Sequence, residues 1–181
     1  NPEWIASDLI GQAEHDVLAQ CILISKDKKI LELTRKEIFK QLKLIPRSSI
    51  AKKSLMTNGI LMNVSSDKKI IEIINKLGPE HLEISIKNYK PLVSKIKNAG
   101  SVCLGKYGVM AMTDYGVPGT NHVLPTNSTS KYSSGLNVSE FMKRISFITL
   151  SKKGIDKLGP SAITLANYEG LSTHAESIIK R

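Results

Sequence analysis

The stretch Gly59-Ile60-Leu61-Met62-Asn63-Val64-Ser65-Ser66-Asp67-Lys68-Lys69-Ile70-Ile71-Glu72-Ile73-Ile74-Asn75-Lys76-Leu77-Gly78-Pro79-Glu80-His81-Leu82-Glu83-Ile84-Ser85-Ile86 reads as strand, helix and strand. Residues 60–64 are a short apolar run introduced by glycine, which predicts a strand. Ser66 or Asp67 can cap a helix through Leu77, with Ile70, Ile71, Ile73 and Ile74 on its buried side. Gly78-Pro79 stops that helix, and residues 82–86 resume as a strand. Strands alternating with a helix argue for parallel pairing by a right-handed crossover.

The same alternation extends outward. Upstream, Asn1 and Pro2 open a helix that keeps its apolar period to about Leu18. Residues 19–25 form a buried strand, 27–44 a lysine-rich amphipathic helix ended by Pro46, and 48–57 a short helix. Downstream, 89–97 predict a short helix and 99–104 a strand. Strands alternating with helices define a parallel α/β fold. Residues 105–135 are rich in Gly, Pro, Asn, Thr and Ser and read as a long ordered loop, a length that is usually functional. A helix from Val138, a strand from Ser146 and a helical tail from about Pro160 complete the chain, with no internal repeat.

The chain has 181 residues, 41% of them hydrophobic, enough for a folded core. No apolar run reaches the roughly 20 residues of a membrane span. The start, Asn1-Pro2-Glu3-Trp4, has neither Met nor the features of a signal peptide, and the ends read as cut. Cys21 and Cys103 lie in apolar strand-like runs with no CxxC, which predicts buried inert thiols in a reducing cytoplasm. Twenty-six basic against sixteen acidic residues give +10 and invite a nucleic-acid reading. Only four of those cations are Arg, aromatics are 5%, and the lysines are scattered in pairs, so solvated surface is the favoured reading. A non-enzymatic basic α/β binding module, for nucleic acid or a protein partner, is the competing class. Salt-sensitive binding without metal would mark it.

The four histidines each lie beside other polar residues. Gln12 and His15 are three apart on the first helix and share a face, either converging on a cation or forming a surface pair. Glu80-His81 follows Gly-Pro at a strand mouth and offers two proton carriers. Neighbours on a regular strand point to opposite faces, so both serve one site only where the backbone is irregular. Asp114 lies in the loop-rich region, and His174 one turn after Glu169 on the C-terminal helix. Two His, one Asp and one Gln suit a zinc-like ion. No GxGxxG, GxxxxGK[ST], HExxH or GxSxG occurs. Asn63, Asn127 and Asn137 begin Asn-x-Ser/Thr triplets, but nothing indicates secretion.

Five segments together resemble one family, histidinol dehydrogenase. They are Asp8-Leu9-Ile10-Gly11-Gln12-Ala13-Glu14-His15-Asp16, Gly78-Pro79-Glu80-His81-Leu82-Glu83, and Asp114-Tyr115 followed by Gly119-Thr120-Asn121-His122-Val123-Leu124-Pro125-Thr126. Ser134-Gly135-Leu136 with Phe141-Met142-Lys143-Arg144, and Glu169-Gly170-Leu171-Ser172-Thr173-His174-Ala175, complete them in the family order. The resemblance implies oxidation of L-histidinol through the aldehyde to L-histidine, with two NAD and one zinc. It implies zinc ligands Gln12, His15 and Asp114, with His174 supplied by a neighbouring subunit of a homodimer. His81 would take the hydroxyl proton, Glu80 would activate water at the aldehyde stage, and Tyr115, His122 and Glu169 would stand at the substrate.

The family is more than twice this long, and its NAD-contacting part lies mostly upstream. The resemblance therefore implies its C-terminal portion: an incomplete Rossmann-like domain over 1–124 with most site residues, then a crossover and C-terminal arm over 125–181 that serve the partner subunit's site. No NAD-contacting residue is expected in this stretch, and the isolated chain is expected to be inactive. Two departures are visible. Thr113 stands where the family usually has Gly, and the Asp114–His122 interval is one residue longer, through Gly116-Val117-Pro118.

Overall fold

Asn1 opens helix α1 (Pro2–Ala13) by accepting the Glu3 N–H at 3.0 Å on its side-chain oxygen. In this computed structural model, which describes residues 1–117 and 119–181, α1 ends five residues before Leu18. Asp16 is the reason. Its Oδ1 accepts the Leu18 N–H at 2.8 Å and its carbonyl accepts the Ala19 N–H at 3.0 Å, a local turn that competes with the helix. His15 thus sits in the turn beyond α1, not on the helix.

Strand β1 (Ile22–Ser25) leads to α2 (Lys28–Gln41), capped by Asp27 Oδ1 on the Lys29 N–H at 2.8 Å. Helix α3 (Ser48–Asn58) precedes β2 (Ile60–Asn63). Helix α4 (Asp67–Leu77) is capped by Ser66 and closed by Gly78 at φ 59°. A Cβ at Gly78 would also meet Ser130 Oγ at 2.9 Å, so the turn and the packing both call for glycine. Then come β3 (His81–Ile84), a single turn α5 (Lys90–Val93), β4 (Ser101–Leu104) and α6 (Met110–Asp114). The helix expected over 89–97 stops early because Asn75 of α4 captures the chain: its Nδ2 donates to the Lys95 carbonyl and its Oδ1 accepts the Lys97 N–H. Helix α6 lies within the expected 105–135 loop, and 3-10 turns form at Thr129–Lys131 and Val138–Phe141.

The strands pair in parallel as read, but as two separate couples. β1 pairs with β2 (Ile22 opposite Ile60) and β3 with β4 (His81 opposite Ser101). Each couple has its own core. Ala6, Ile10, Ala13, Cys21, Ile38, Leu42 and Ala51 pack together, and Ile71, Ile74, Ile84 and Leu92 form the other cluster. A cavity of about 760 Å³ is lined by β1 and β3 with α1 and α4. The bonds accepted by Cys21, just before β1, and Ser25, and by Glu80, just before β3, and Ile84 fix which residues face the partner strands. By strand alternation, Ile22, Ile24, His81 and Glu83 turn their backbone groups to the opposite edges.

The chain divides into two compact units, Asn1–Glu140 and Phe141–Arg181. The second is a helical pair, α7 (Lys152–Tyr168) and α8 (Ser172–Ile179), with Ala166 and Ala175 buried. The strand expected from Ser146 does not form: residues 142–150 carry no regular element, and Phe147 and Ile148 stay exposed. An apolar run without a partner strand has no ladder to join. The helical tail starts earlier than Pro160, because Ser151 caps α7 by accepting the Gly154 N–H at 3.1 Å. Pro160 lies inside the helix, where it withholds one backbone donor from the helical ladder.

Candidate active site

The Gly78-Pro79 turn delivers Glu80 in a bend, and β3 begins only at His81. That irregularity resolves the opposite-faces problem of two adjacent residues. The Glu80 Oε1 lies 3.8 Å from His81 Nε2, and Asp114 Oδ1 lies 3.3 Å from the same nitrogen. His81 and Asp114 side chains are only 12% and 10% exposed. An imidazole nitrogen therefore faces two carboxylates, one of them, Asp114, largely shielded from water as the ring is, which strengthens their charge interaction. His81 Nδ1 is buried and has no hydrogen-bond partner.

Neighbouring backbone holds this arrangement. The Gly100 N–H donates to the Pro79 carbonyl at 2.9 Å and the Ser101 N–H to the Glu80 carbonyl at 2.8 Å. A Cβ at Gly100 would stand 2.6 Å from that Glu80 oxygen. Gly100→Ala is accordingly expected to push the Glu80 segment off β4 and to destabilise the fold by about 1–3 kcal/mol, read by urea unfolding.

Asp114 ends α6. Thr113, at the family's usual Gly position, is buried; its hydroxyl donates to the Met110 carbonyl at 2.7 Å and its carbonyl accepts from Thr120 at 2.9 Å. The chain then returns, so that His122 Nδ1 meets the Asp114 backbone oxygen at 2.9 Å. The longer interval thus still brings His122 back to Asp114, although Pro118 of that interval lies outside the described residues. Tyr115 is exposed. Gln12 shares the cavity wall with Glu80 and His81. The His15 carbonyl accepts from Arg47 at 3.3 Å, while its side chain is exposed.

In the second unit, Glu169 caps the end of α7, Gly170 reverses the chain at φ 76°, and His174 lies in the first turn of α8. The two residues therefore sit on successive helices across a turn, not on one helix, and both are exposed.

Sequence reasoning missed Asp8 and Glu83. Glu83 lies two residues after His81 on the same side of β3, and Asp8 one turn before Gln12 on α1, spacings that carried the signal. The two carboxyl groups lie close enough for the protonation of each to affect the other. Burial, together with the Asp8 charge, pushes Glu83 up to about 7 against the Met110 N–H, which lowers it. Burial likewise raises Asp8.

Both cysteines are free and buried, and burial pushes the Cys21 thiol up to about 11 and raises Cys103 as well, so both stay thiols. Among the described residues no three His, Cys, Asp or Glu side chains are grouped to hold an ion. No helix of the described residues is long and apolar enough to cross a membrane.

An imidazole between two carboxylates at the entry of a parallel strand, on an α/β scaffold, has the groups that acid–base chemistry needs. The family model for histidinol dehydrogenase matches residues 1–181, and the chain belongs to that family. It is 70% identical over 181 residues to the histidinol dehydrogenase of Pelagibacter ubique (strain HTCC1062), covering 100% of this chain and 42% of that protein. It is 46% identical over 178 residues to the enzyme of Listeria monocytogenes, covering 98% and 42%. The crystal structure of histidinol dehydrogenase from Elizabethkingia anophelis superposes with a TM-score of 0.81 at 38% identity, over 98% of this chain and 41% of that one. The chain thus spans about two fifths of the length of these relatives.

Proposed function

We propose that the protein to which this chain belongs is a zinc- and NAD-dependent histidinol dehydrogenase, oxidising L-histidinol through the aldehyde to L-histidine. The observation that carries this reading is the convergence of Glu80 and Asp114 on His81 Nε2, at 3.8 and 3.3 Å, beside the cavity lined by Gln12.

His81 is the base for the hydroxyl proton of the substrate. The proton it takes is met by two carboxylate oxygens, which stabilise the cation formed. Glu80, a third exposed, is reached by water and activates the molecule that attacks the aldehyde carbon. Glu169 attracts the substrate ammonium, and Tyr115 and His122 stand at the substrate.

The donor set fits zinc: an imidazole from His15, an amide oxygen from Gln12 and the nearly buried Asp114 carboxylate, with His174 of the partner subunit as fourth. Zinc, when bound, would hold the imidazole and amine of histidinol and fix its alcohol carbon. Residues 125–181 serve the partner's site in a homodimer, and 1–124 carry the rest. NAD binds outside this stretch, and the cytoplasm, with its free thiols, is the compartment.

The test is a chimera joining the upstream part of the Pelagibacter ubique relative to Asn1–Arg181. The chimera is expected to form NADH from histidinol, and the isolated chain none. A folded, zinc-loaded chimera that forms no NADH, or an isolated chain that does, contradicts the reading.

A further inference from the structure

Three elements carry the candidate residues of the first unit: α1 holds Gln12, β3 begins at His81, and α6 ends in Asp114. One side chain joins them. Glu83 leaves β3 on the same side as His81. Its Oε1 accepts the Met110 N–H at 2.7 Å, at the start of α6, where the cap residue Val109 supplies no side-chain bond. Its carboxyl also shares the cavity wall with that of Asp8, one turn before Gln12 on α1, close enough for the two to influence each other's proton.

Resting on the dehydrogenase reading above, we propose that Glu83, braced by Asp8, is a positioning residue: it ties α1, β3 and α6 into one body and so sets Asp114 against His81. Two neighbouring carboxyls away from water resist ionising together, which favours a shared proton. Its surroundings favour that state. The other groups facing it are the Met110 N–H on α6, the Cys103 thiol on β4, and Asp114 beyond, whose charge also reaches Cys103. None is a cation. The ion pairs of the described residues involve neither Asp8 nor Glu83.

The pair imposes a sign on stability. An unfolded Glu releases its proton near 4.5, whereas Glu83 in the fold keeps it to about 7. Between those values the native state binds more protons than the unfolded state, so the contribution is full below about 4.5 and is lost as pH rises to about 7. Glu83→Gln keeps the Met110 bond without titrating: its amide oxygen accepts that N–H, and its NH₂ can donate to ionised Asp8.

The experiment uses the chimera with Glu83→Ala and Glu83→Gln, each confirmed folded by circular dichroism. Glu83→Ala is expected to lower kcat by about tenfold to a hundredfold with KM changed by less than about twofold, and Glu83→Gln to recover most of that loss. Amide exchange at Met110 should quicken in Glu83→Ala alone, and the fall in thermal stability between pH 5 and 7 should flatten in Glu83→Gln. Wild-type kcat and Met110 protection in Glu83→Ala overturn the assignment, as does a folded Glu83→Gln as impaired as Glu83→Ala. If the wild-type chimera itself forms no NADH, the dehydrogenase reading fails; Met110 exchange and the pH dependence of unfolding then still decide whether Glu83 clamps α6.

Discussion

Asp114→Asn in the chimera is expected to release its zinc and to abolish NADH formation from histidinol. Asn matches Asp in size and leaves α6 intact, so the change isolates the charge. That charge matters because the carboxylate is only 10% exposed and lies 3.3 Å from His81 Nε2, with little water to replace it. A neutral amide is a poor ligand for a divalent ion beside Gln12, itself neutral. The loss of metal affinity should exceed about a hundredfold, the upper range for removing a mere outer partner of a ligand. His15→Ala is expected to act in the same direction. Metal analysis after gel filtration checks both, and stoichiometric zinc in both variants would remove these residues from the ligand set.

His81→Ala is expected to behave differently: zinc stays and turnover goes. The imidazole is a proton carrier in the proposed reaction and not a ligand, so its loss should lower kcat by about 10²- to 10⁴-fold. The variant enlarges the crevice between Glu80 and Asp114 without touching Gln12 or His15. Retained zinc with lost turnover separates the base from the ligands. Retained turnover, or zinc lost together with turnover, would contradict the separation.

Much of the fold was legible because local signals and tertiary demands agreed. Ser66, the isoleucines of α4 and Gly78 all pointed to one helix between two strands. The errors have local causes. Asp16 bends the chain into a side-chain turn that ends α1 early, and an apolar period alone does not register a competing hydrogen bond. Asn75 shortens α5 by bonds that reach 20 residues along the chain, which no local pattern contains. Pro160 looks like a helix start, yet Ser151 caps the helix earlier. The alternation after Ser146 looks like a strand, but a strand exists only where another chain segment pairs with it. Nor did strand periodicity reveal that the parallel strands form two couples, since neighbours across a sheet are not written in the sequence.

The site was legible in its residue types and order, and less so in its geometry. Glu80 and His81 share a site because Glu80 sits in a bend that breaks the alternation just before β3 begins. Asp114 reaches His81 through α6, a helix hidden in a stretch read as loop. Glu83 was quoted as part of a motif, but its role depends on the Met110 N–H and on Asp8, 27 and 75 positions away in the chain.

The most direct test counts NADH formed per histidinol by the chimera under limiting substrate. Two per molecule, with histidine as product and falling to one with accumulated aldehyde in Glu80→Gln, is the expected result. A folded, zinc-bound chimera yielding none, or a Glu80→Gln variant still yielding two at the unmodified rate, would contradict the account.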